Sequence, residues 1–177
     1  MAHLEQVAFC TRVKSTYPEF FKYKDVLDVG SLDINGNNKY LFEYCEVTGI
    51  DVGAGPNVDV VSLAHEFYPL KSYGFIISTE CFEHDIHYAK SLNHLVSLLQ
   101  TDGMFLFTCA TIGRPEHGTK RTSPEDAPLL TGDWSDYYKN LTELDIREVL
   151  KIDTYFKEYY FEVNDKSHDL YFFGIKR

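Results

Sequence analysis

A glycine and an aspartate, each placed directly after a predicted strand, have the positions in this sequence that most clearly suggest a ligand site. Gly30 follows the apolar run VLDV at residues 26–29, and Asp51 closes the run VTGID at residues 47–51. Ligands of open α/β sheets bind at the carboxyl ends of the strands. A glycine there lets a ligand approach the backbone, whose following amides are expected to donate to it. A carboxylate there can accept the hydroxyl groups of a ribose. Each residue alone also suits an ordinary turn, but together they predict a site for an adenosine-containing ligand.

The loop after Gly30 argues against a dinucleotide as that ligand. From Gly30 the sequence reads GSLDING, so Leu32 stands where the dinucleotide fingerprint G-x-G-x-x-G has its second glycine. Asp33 would also bring a negative charge towards a pyrophosphate, which is unfavourable. A cofactor that contains adenosine but no phosphate fits these residues better.

The elements that must position these residues alternate between strands and helices. The predicted elements through residue 110 are helices at 4–15, 37–44 and 87–100, strands at 26–29, 47–51, 58–61, 75–78 and 104–110, and a helical turn at 63–67. This alternation predicts an α/β fold, with a mainly parallel sheet and helices on both faces.

The C-terminal part of the sequence has a different pattern. Residues 142–150 are predicted to form a helix, with Thr142 as the N-cap and Asp145 at the capping-box position. Two aromatic-rich segments at 154–163 and 170–176 are predicted to form an antiparallel hairpin that closes the sheet. The length suits one domain, so residues 1–177 are interpreted as a single unit.

Five segments, in their order and spacing, resemble those of a known family. They are VLDVGS at 26–31, GIDVGAGPNVDVV at 49–61, AHEF at 64–67, STECFEH at 78–84 and LLQTDGMFLF at 98–107. From about Tyr17 to Arg177 the sequence resembles the class I S-adenosylmethionine-dependent methyltransferases. The resemblance implies a Rossmann-like three-layer sandwich, with a seven-stranded, mainly parallel sheet closed by the C-terminal hairpin. It also implies S-adenosyl-L-methionine as the cofactor.

The resemblance further implies which residues bind that cofactor. Those implied to lie against its methionine part and sulfonium end are Asp28, Gly30, Ser31 and Glu80. Those implied for its ribose and adenine are Asp51, Val52, Leu63 and Ala64. The sequence departs from the family at Leu32, where the family usually has a glycine.

Two histidines, His84 and His117, are the candidate catalytic residues. Methyl transfer from a sulfonium requires the nucleophile to be held in line, and a nucleophile of high pKa also needs a base within reach. His84 directly follows the fourth predicted strand and is flanked by Glu83 and Asp85. His117 lies in the long stretch 113–141, which is predicted to be a lid or substrate loop. For His84, capping of the next helix is an equally open interpretation.

The predicted lid also carries the densest positive cluster of the sequence. Arg114, Lys120 and Arg121 either recognise an anionic group of the substrate or are solvated loop charges. Trp134 and Tyr138 either form a wall of the substrate pocket or pack beneath the lid. The predicted substrate contacts are Arg114, Arg121 and Tyr138.

Composition limits the classes of partner. The sequence has 17 Lys and Arg against 27 Asp and Glu, giving a formal net charge of −10, which disfavours nucleic-acid binding. The N-terminus has no signal-peptide pattern, and the longest apolar runs are far shorter than the roughly 20 residues of a membrane helix. The four cysteines form no C-x-x-C pair and are expected to be free thiols. We therefore expect a cytoplasmic protein with a small-molecule substrate.

The sequence predicts an enzyme that transfers a methyl group from S-adenosylmethionine to an oxygen or nitrogen atom of a small-molecule or sugar-type substrate. A non-catalytic module that only binds the cofactor is the main alternative, and a nucleotide-dependent oxidoreductase is disfavoured by the missing fingerprint. No metal is expected. His84, Asp85 and His87 lie close in sequence, but hard metals prefer oxygen ligands and no clear ligand set emerges. The oligomeric state stays open.

Overall fold

A single seven-stranded sheet organises the molecule. The computed structural model describes residues 3–177. Its strands are β1 (Asp25–Val29), β2 (Glu46–Asp51), β3 (Val60–Val61), β4 (Tyr73–Thr79), β5 (Leu99–Ala110), β6 (Phe156–Asn164) and β7 (Asp169–Lys176). They lie in the order β3-β2-β1-β4-β5-β7-β6. Neighbours from β3 to β5 pair in parallel, whereas β7 is antiparallel to both β5 and β6. The predicted mainly parallel sheet with a closing hairpin is confirmed.

Helices cover both faces of the sheet. They are α1 (Leu4–Thr16), α2 (Tyr88–Leu98), α3 (Glu143–Val149) and α4 (Ile152–Tyr155). On one face, Phe9 and Val13 of α1 pack into a buried cluster with Val26 of β1. On the other, Leu95 of α2 and Ile146 of α3 pack with alternate residues of the same strands. The predicted three-layer sandwich is therefore confirmed. Across residues 3–177, no helix is both long enough and apolar enough to span a membrane.

The central strands are buried on both faces. In β1, Val26 belongs to the cluster beneath α1, and Leu27 belongs to the cluster beneath α2. In β4, every residue except Thr79 is buried. Parallel strands covered on both faces are expected to be continuously apolar rather than alternating. This explains why the short runs at residues 26–29 and 75–78 could be interpreted as central strands.

The helix predicted at residues 37–44 is wrong. The structure has a single 3-10 turn there, Asn38–Leu41, after which the chain is extended at Phe42. The ring of Phe42 lies 5.6 Å from that of Phe21 and 5.1 Å from that of Phe75, measured between centroids. These tertiary contacts require an extended backbone, and they outweigh the local helical preference of the segment.

The C-terminal predictions hold with shifted boundaries. The capping box of α3 is present, with the side chain of Thr142 accepting from the Asp145 amide and Asp145 accepting from the Thr142 amide. The strand predicted from residue 154 begins at Phe156 instead, because α4 continues to Tyr155. The predicted hairpin is confirmed by antiparallel pairing of β6 with β7.

Candidate functional site

A cavity opens at the carboxyl ends of β1, β2 and β4. It encloses about 1020 Å³, including the part open to solvent. The strand order of the sheet reverses between β1 and β4, and open α/β sheets bind ligands at this switch point. The eight predicted cofactor residues all line the cavity: Asp28, Gly30, Ser31, Asp51, Val52, Leu63, Ala64 and Glu80.

Gly30 makes the turn that ends β1. Its φ is 73°, a left-handed conformation that favours glycine. A Cβ at this position would lie 2.6 Å from Sγ of Cys81, so a side chain would displace the start of the next loop. The expectation that the amides after Gly30 donate to a ligand is wrong for the first two of them. The amide of Ser31 donates to the carbonyl oxygen of Ile50 at 3.1 Å, and the amide of Leu32 donates to Oδ2 of Asp51 at 3.0 Å.

Asp51 is held in place by the backbone at the end of β2. Its Oδ2 accepts from the amide of Leu32 at 3.0 Å, and its Oδ1 accepts from the amide of Val52 at 2.7 Å. Burial raises the pKa of Asp51, while these two hydrogen bonds favour the charged form. Each carboxylate oxygen can accept a second hydrogen bond. Asp51 is therefore an oriented acceptor for a ligand that carries neighbouring hydroxyl groups.

Asp28 is a buried carboxylate in β1. Its Oδ1 accepts from Nδ2 of Asn38 at 3.0 Å, and the same nitrogen lies 3.2 Å from Oγ1 of Thr79. Its Oδ2 is buried without a hydrogen-bond partner anywhere in residues 3–177. Burial raises the pKa of Asp28 to about 7. Because unpaired buried acceptors are costly, this oxygen suits a ligand that donates hydrogen bonds, and a cationic donor best of all.

Glu80 follows β4 and faces both the cavity and the N-terminus of α1. Its φ is 51°, and its Oε1 accepts from Oγ1 of Thr108 at 2.7 Å. Nε2 of His3 lies 3.7 Å from Oε2 of Glu80 and 3.0 Å from Oδ2 of Asp169. Burial opposes a charge on His3, yet the nearby carboxylates of Asp169 and Glu80 raise its pKa to about 9. His3 thus forms an ion-paired cluster with the two carboxylates, which no sequence motif predicts.

The two predicted catalytic histidines come together. The ring centroid of His84 lies 5.1 Å from that of His117 and 5.5 Å from that of Tyr138. The ring of His84 lines the cavity, whereas those of His117 and Tyr138 do not. Burial lowers the pKa of His84 to about 3 and also lowers the pKa of His117. Both rings are therefore in the neutral form that can accept a proton, but their lowered pKa values make them weak bases.

Glu83 lies beside these rings and is completely buried. Within the described chain neither of its carboxylate oxygens has a hydrogen-bond partner. Burial and the nearby Glu80 raise the pKa of Glu83 to about 8. One ligand-type atom each of Glu83, His84 and His117 lies within 4.8 Å of the other two. Sequence reasoning considered Glu83 only as a neighbour of His84, because nothing in the spacing shows that His117 folds back onto it.

The predicted substrate contacts lie outside the cavity lining and have partners within the protein. Arg114 donates to the Ser167 carbonyl oxygen at 2.7 Å and to Oδ1 of Asp169 at 3.1 Å. Arg121 donates to Asp136 at 2.8 Å and to Glu116 at 3.1 Å. The hydroxyl of Tyr138 donates to the Pro115 carbonyl oxygen at 3.3 Å. In this conformation the positive cluster is neutralised by the chain's own carboxylates.

Part of the stretch 113–141 covers the cavity. Residues 126–130 and Trp134 line it from above. Leu129 closes directly onto the loop after β2, because a Cβ on Gly53 would lie 3.1 Å from its Cδ2. The Trp134 ring lies 5.6 Å from that of His87, between centroids. Of the two interpretations left open for Trp134, the structure favours the cavity wall.

Comparison with known proteins finds similar structures but no similar sequences. No protein-family model matches this chain, and no curated protein sequence matches it. A 1,6-didemethyltoxoflavin-N1-methyltransferase from Burkholderia thailandensis, bound to 1,6-didemethyltoxoflavin and S-adenosylhomocysteine, superposes with a TM-score of 0.62. That match covers 99% of this chain and 91% of the other, at 16% sequence identity. The chain has the fold of the class I S-adenosylmethionine-dependent methyltransferases.

Two further methyltransferase structures support this assignment of the fold. The N-methyltransferase NodS from Bradyrhizobium japonicum WM9, in complex with S-adenosylhomocysteine, matches with a TM-score of 0.60 and 13% identity over 96% of this chain and 86% of the other. Magnesium protoporphyrin IX methyltransferase from Synechocystis PCC 6803 matches with a TM-score of 0.60 and 14% identity over 97% and 84%. Each of these matches extends over nearly the whole of this chain.

Within this methyltransferase fold, three residues that line or brace the cavity were not found from the sequence. Asn38 orients Asp28, but it lies in a segment predicted to be helical. Asn57 donates from Nδ2 to the Ser31 carbonyl oxygen at 2.8 Å and so braces the loop after β1. Leu129 covers the cavity from a stretch without periodicity. None of these three has a sequence motif, because each acts through contacts that only the folded chain creates.

Proposed function

We propose that this protein binds S-adenosyl-L-methionine and transfers its methyl group to an oxygen or nitrogen atom of a small-molecule or sugar-type substrate. The observation that carries the proposal is a pair of carboxylates at adjacent strand ends. Asp28 and Asp51 line one cavity beside the Gly30 turn. Asp28 has a buried carboxylate oxygen without a hydrogen-bond partner among residues 3–177, and Asp51 has two carboxylate oxygens oriented by backbone amides.

The cavity residues fit the chemical groups of this cofactor. Asp51 would accept hydrogen bonds from the ribose hydroxyl groups. The free oxygen of Asp28 would accept from the cationic amino group of the methionine part. Val52, Leu63 and Ala64 supply an apolar wall suited to an adenine ring. When bound, S-adenosylmethionine supplies a methyl group on a positively charged sulfur, which is an electrophile.

The remaining cavity residues would position the acceptor and exclude water. Leu129 and Trp134 cover the site, which restricts the approach of an acceptor and keeps solvent from the reacting groups. His84 can accept a hydrogen bond from the acceptor atom. Proton transfer to a ring of such low pKa is unfavourable. The site therefore favours acceptor atoms that carry an acidic proton, or an unprotonated nitrogen.

The size and charge of the molecule support a small acceptor. The net charge of −10 disfavours a polyanionic substrate such as nucleic acid. The similar structure from Burkholderia thailandensis was solved with 1,6-didemethyltoxoflavin, a small molecule. Recognition of an anionic acceptor by Arg114 or Arg121 would require either residue to leave its carboxylate partner. We therefore place a neutral acceptor ahead of an anionic one.

Isotopic labelling tests the proposal. The protein is incubated with S-adenosylmethionine carrying a labelled methyl group and with a fractionated metabolite extract, and mass spectrometry follows S-adenosylhomocysteine and labelled products. We expect labelled small molecules with the wild type and none with Asp51→Ala. The matched control Asp165→Asn changes an exposed carboxylate in the turn between β6 and β7 and should retain activity. Cofactor binding without turnover in any fraction would contradict the enzyme and favour the non-catalytic module.

A further inference from the structure

We propose that Glu83, His84 and His117 form a binding site for one divalent transition-metal ion of the Zn²⁺ or Fe²⁺ class. One ligand-type atom of each residue lies within 4.8 Å of the other two. Ligand atoms around a tetrahedral zinc ion lie about 2.0–2.2 Å from it, so modest side-chain rotations would bring the three atoms to one ion. The site adds a metal to the proposed function, but its existence does not depend on that function.

The strongest support is that two of the three residues, Glu83 and His84, have buried ligand-type atoms without partners among residues 3–177. Glu83 is 0% exposed, and neither of its carboxylate oxygens is hydrogen bonded within residues 3–177. His84 is 7% exposed, and its Nδ1 is likewise buried and unpaired within that range. Buried polar groups are nearly always satisfied, and an unpaired buried carboxylate is especially costly. A bound cation would satisfy the carboxylate and a ring nitrogen together.

His117 has the arrangement expected of a metal ligand. Its Nδ1 lies 3.1 Å from the carbonyl oxygen of Pro115. A carbonyl can only accept, so this bond places the proton on Nδ1 and leaves Nε2 with a free lone pair. Metal-bound histidines commonly donate their other ring nitrogen to a backbone carbonyl, which fixes the ring.

The loop that carries His117 is fitted to His84. Gly118 has a φ of 66°, and a Cβ there would lie 2.6 Å from Cε1 of His84. Next to it, Glu116 accepts from Oγ1 of Thr119 at 2.7 Å and from Arg121 at 3.1 Å. The backbone is thus held close to the ring of His84. Preorganisation of this kind lowers the cost of bringing three ligands from distant parts of the chain to one ion.

The neighbouring cluster of His3, Glu80 and Asp169 is a weaker candidate. Its ligand atoms also lie within 4.8 Å of one another. However, Nε2 of His3 already lies 3.0 Å from Asp169, and Arg114 pairs with the same carboxylate at 3.1 Å. The charges of that cluster are balanced within the protein. The cluster of Glu83, His84 and His117 includes no positively charged side chain of this kind.

The donor set determines the class of metal. Two imidazole nitrogens and one carboxylate suit Zn²⁺, Fe²⁺, Co²⁺ or Ni²⁺, whereas Mg²⁺ and Ca²⁺ prefer oxygen ligands. Three protein ligands leave at least one coordination position open. Because His84 lines the cavity, an acceptor atom of the substrate could occupy that position. If the proposed methyl transfer holds, the ion would lower the pKa of an acceptor hydroxyl bound at that position.

Cobalt titration tests the site, because Co²⁺ substitutes for Zn²⁺ and absorbs visible light when bound. The full-length protein is stripped with a chelator, titrated with Co²⁺ and then with competing Zn²⁺. We expect one ion per chain and displacement by Zn²⁺. Glu83→Gln and His117→Asn should each weaken binding by about 10-fold or more. The matched control His94→Gln changes a half-buried histidine that bonds the Phe67 carbonyl oxygen, and it should bind like the wild type.

Far-ultraviolet circular dichroism of each variant ensures that the folded state is being titrated. Failure of the folded wild type to bind Co²⁺ at millimolar concentration would overturn the inference. Equal affinity in wild type, Glu83→Gln and His117→Asn would also overturn it, because the ion would then bind elsewhere. Titration of S-adenosylmethionine into the metal-free protein is a separate measurement. Loss of the metal-site hypothesis can therefore be distinguished from loss of the cofactor-site hypothesis.

Discussion

At the scale of single residues, two buried acidic side chains, Asp28 and Glu83, lie near the cavity without a full set of hydrogen-bond partners. Asp28 is 1% exposed and Glu83 is 0% exposed. Both lie at or behind the carboxyl edge of the sheet, where ligands of this architecture bind. Each retains at least one carboxylate oxygen without a partner among the described residues. Such groups destabilise the folded protein on its own, so we interpret them as residues kept for a ligand.

Asp28 should make the ligand-free protein less stable as the pH rises. Its pKa is about 7 in the folded state, against an ordinary value of 3.8. Between those values the unfolded chain loses its proton while the folded protein retains it, so stability falls with rising pH in that window. Asp28→Asn cannot ionise. We therefore expect its stability relative to wild type to increase, by about 3 kcal/mol, between about pH 4.5 and about pH 7.5.

Urea denaturation at the two pH values measures this difference. Asp165→Asn serves as the control, since it removes an exposed carboxylate and should leave the pH dependence unchanged. A constant difference between Asp28→Asn and wild type across the window would show that Asp28 is ionised in the folded protein throughout.

At the scale of elements, the turn after β1 determines the floor of the cavity. Gly30 has a left-handed backbone, and its Cα faces the side chain of Cys81. The loop that follows is braced by Asn57 and by the bond from Leu32 to Asp51. The end of β1 is therefore coupled to the end of β2, and both carry predicted cofactor residues.

Gly30→Ala should destabilise the protein by about 2–4 kcal/mol. About 1–2 kcal/mol reflects a non-glycine residue in the left-handed region, and the remainder reflects a Cβ placed 2.6 Å from Sγ of Cys81. Gly132→Ala separates the two effects, because Gly132 has a φ of 60° but nothing within 4 Å of its Cβ position. Thermal denaturation should show the smaller loss for Gly132→Ala. Equal losses would mean that the contact with Cys81 costs nothing.

Prediction of the elements succeeded where local signals agree with the fold. Thr142 and Asp145 form the predicted capping box, because a helix start depends on neighbouring residues alone. The helix prediction for residues 37–44 failed because the rings of Phe21 and Phe75 hold Phe42 in an extended conformation. Those contacts join residues that are distant in sequence, so no local pattern records them.

At the scale of the whole molecule, the sheet order explains how much of the site was predictable. The carboxyl ends of parallel strands meet at one edge, so Gly30 and Asp51 could be placed together from the sequence, whereas Glu80 was implied by the family resemblance. All three line one cavity. The convergence of His117 on Glu83 could not be foreseen. It depends on the path of the stretch 113–141, which has no periodicity and whose course is determined by contacts such as that between Gly118 and His84.

The proposed methyl transfer requires this protein to bind S-adenosylmethionine through Asp51. Isothermal titration of S-adenosylmethionine into the full-length protein tests it most directly, beside the matched variants Asp51→Asn and Asp165→Asn. We predict a dissociation constant in the micromolar range for wild type and Asp165→Asn. Asp51→Asn should bind at least about 10-fold more weakly, because charge-assisted hydrogen bonds are lost. The absence of binding to the folded wild type at millimolar ligand would show that this cavity is not a site for S-adenosylmethionine.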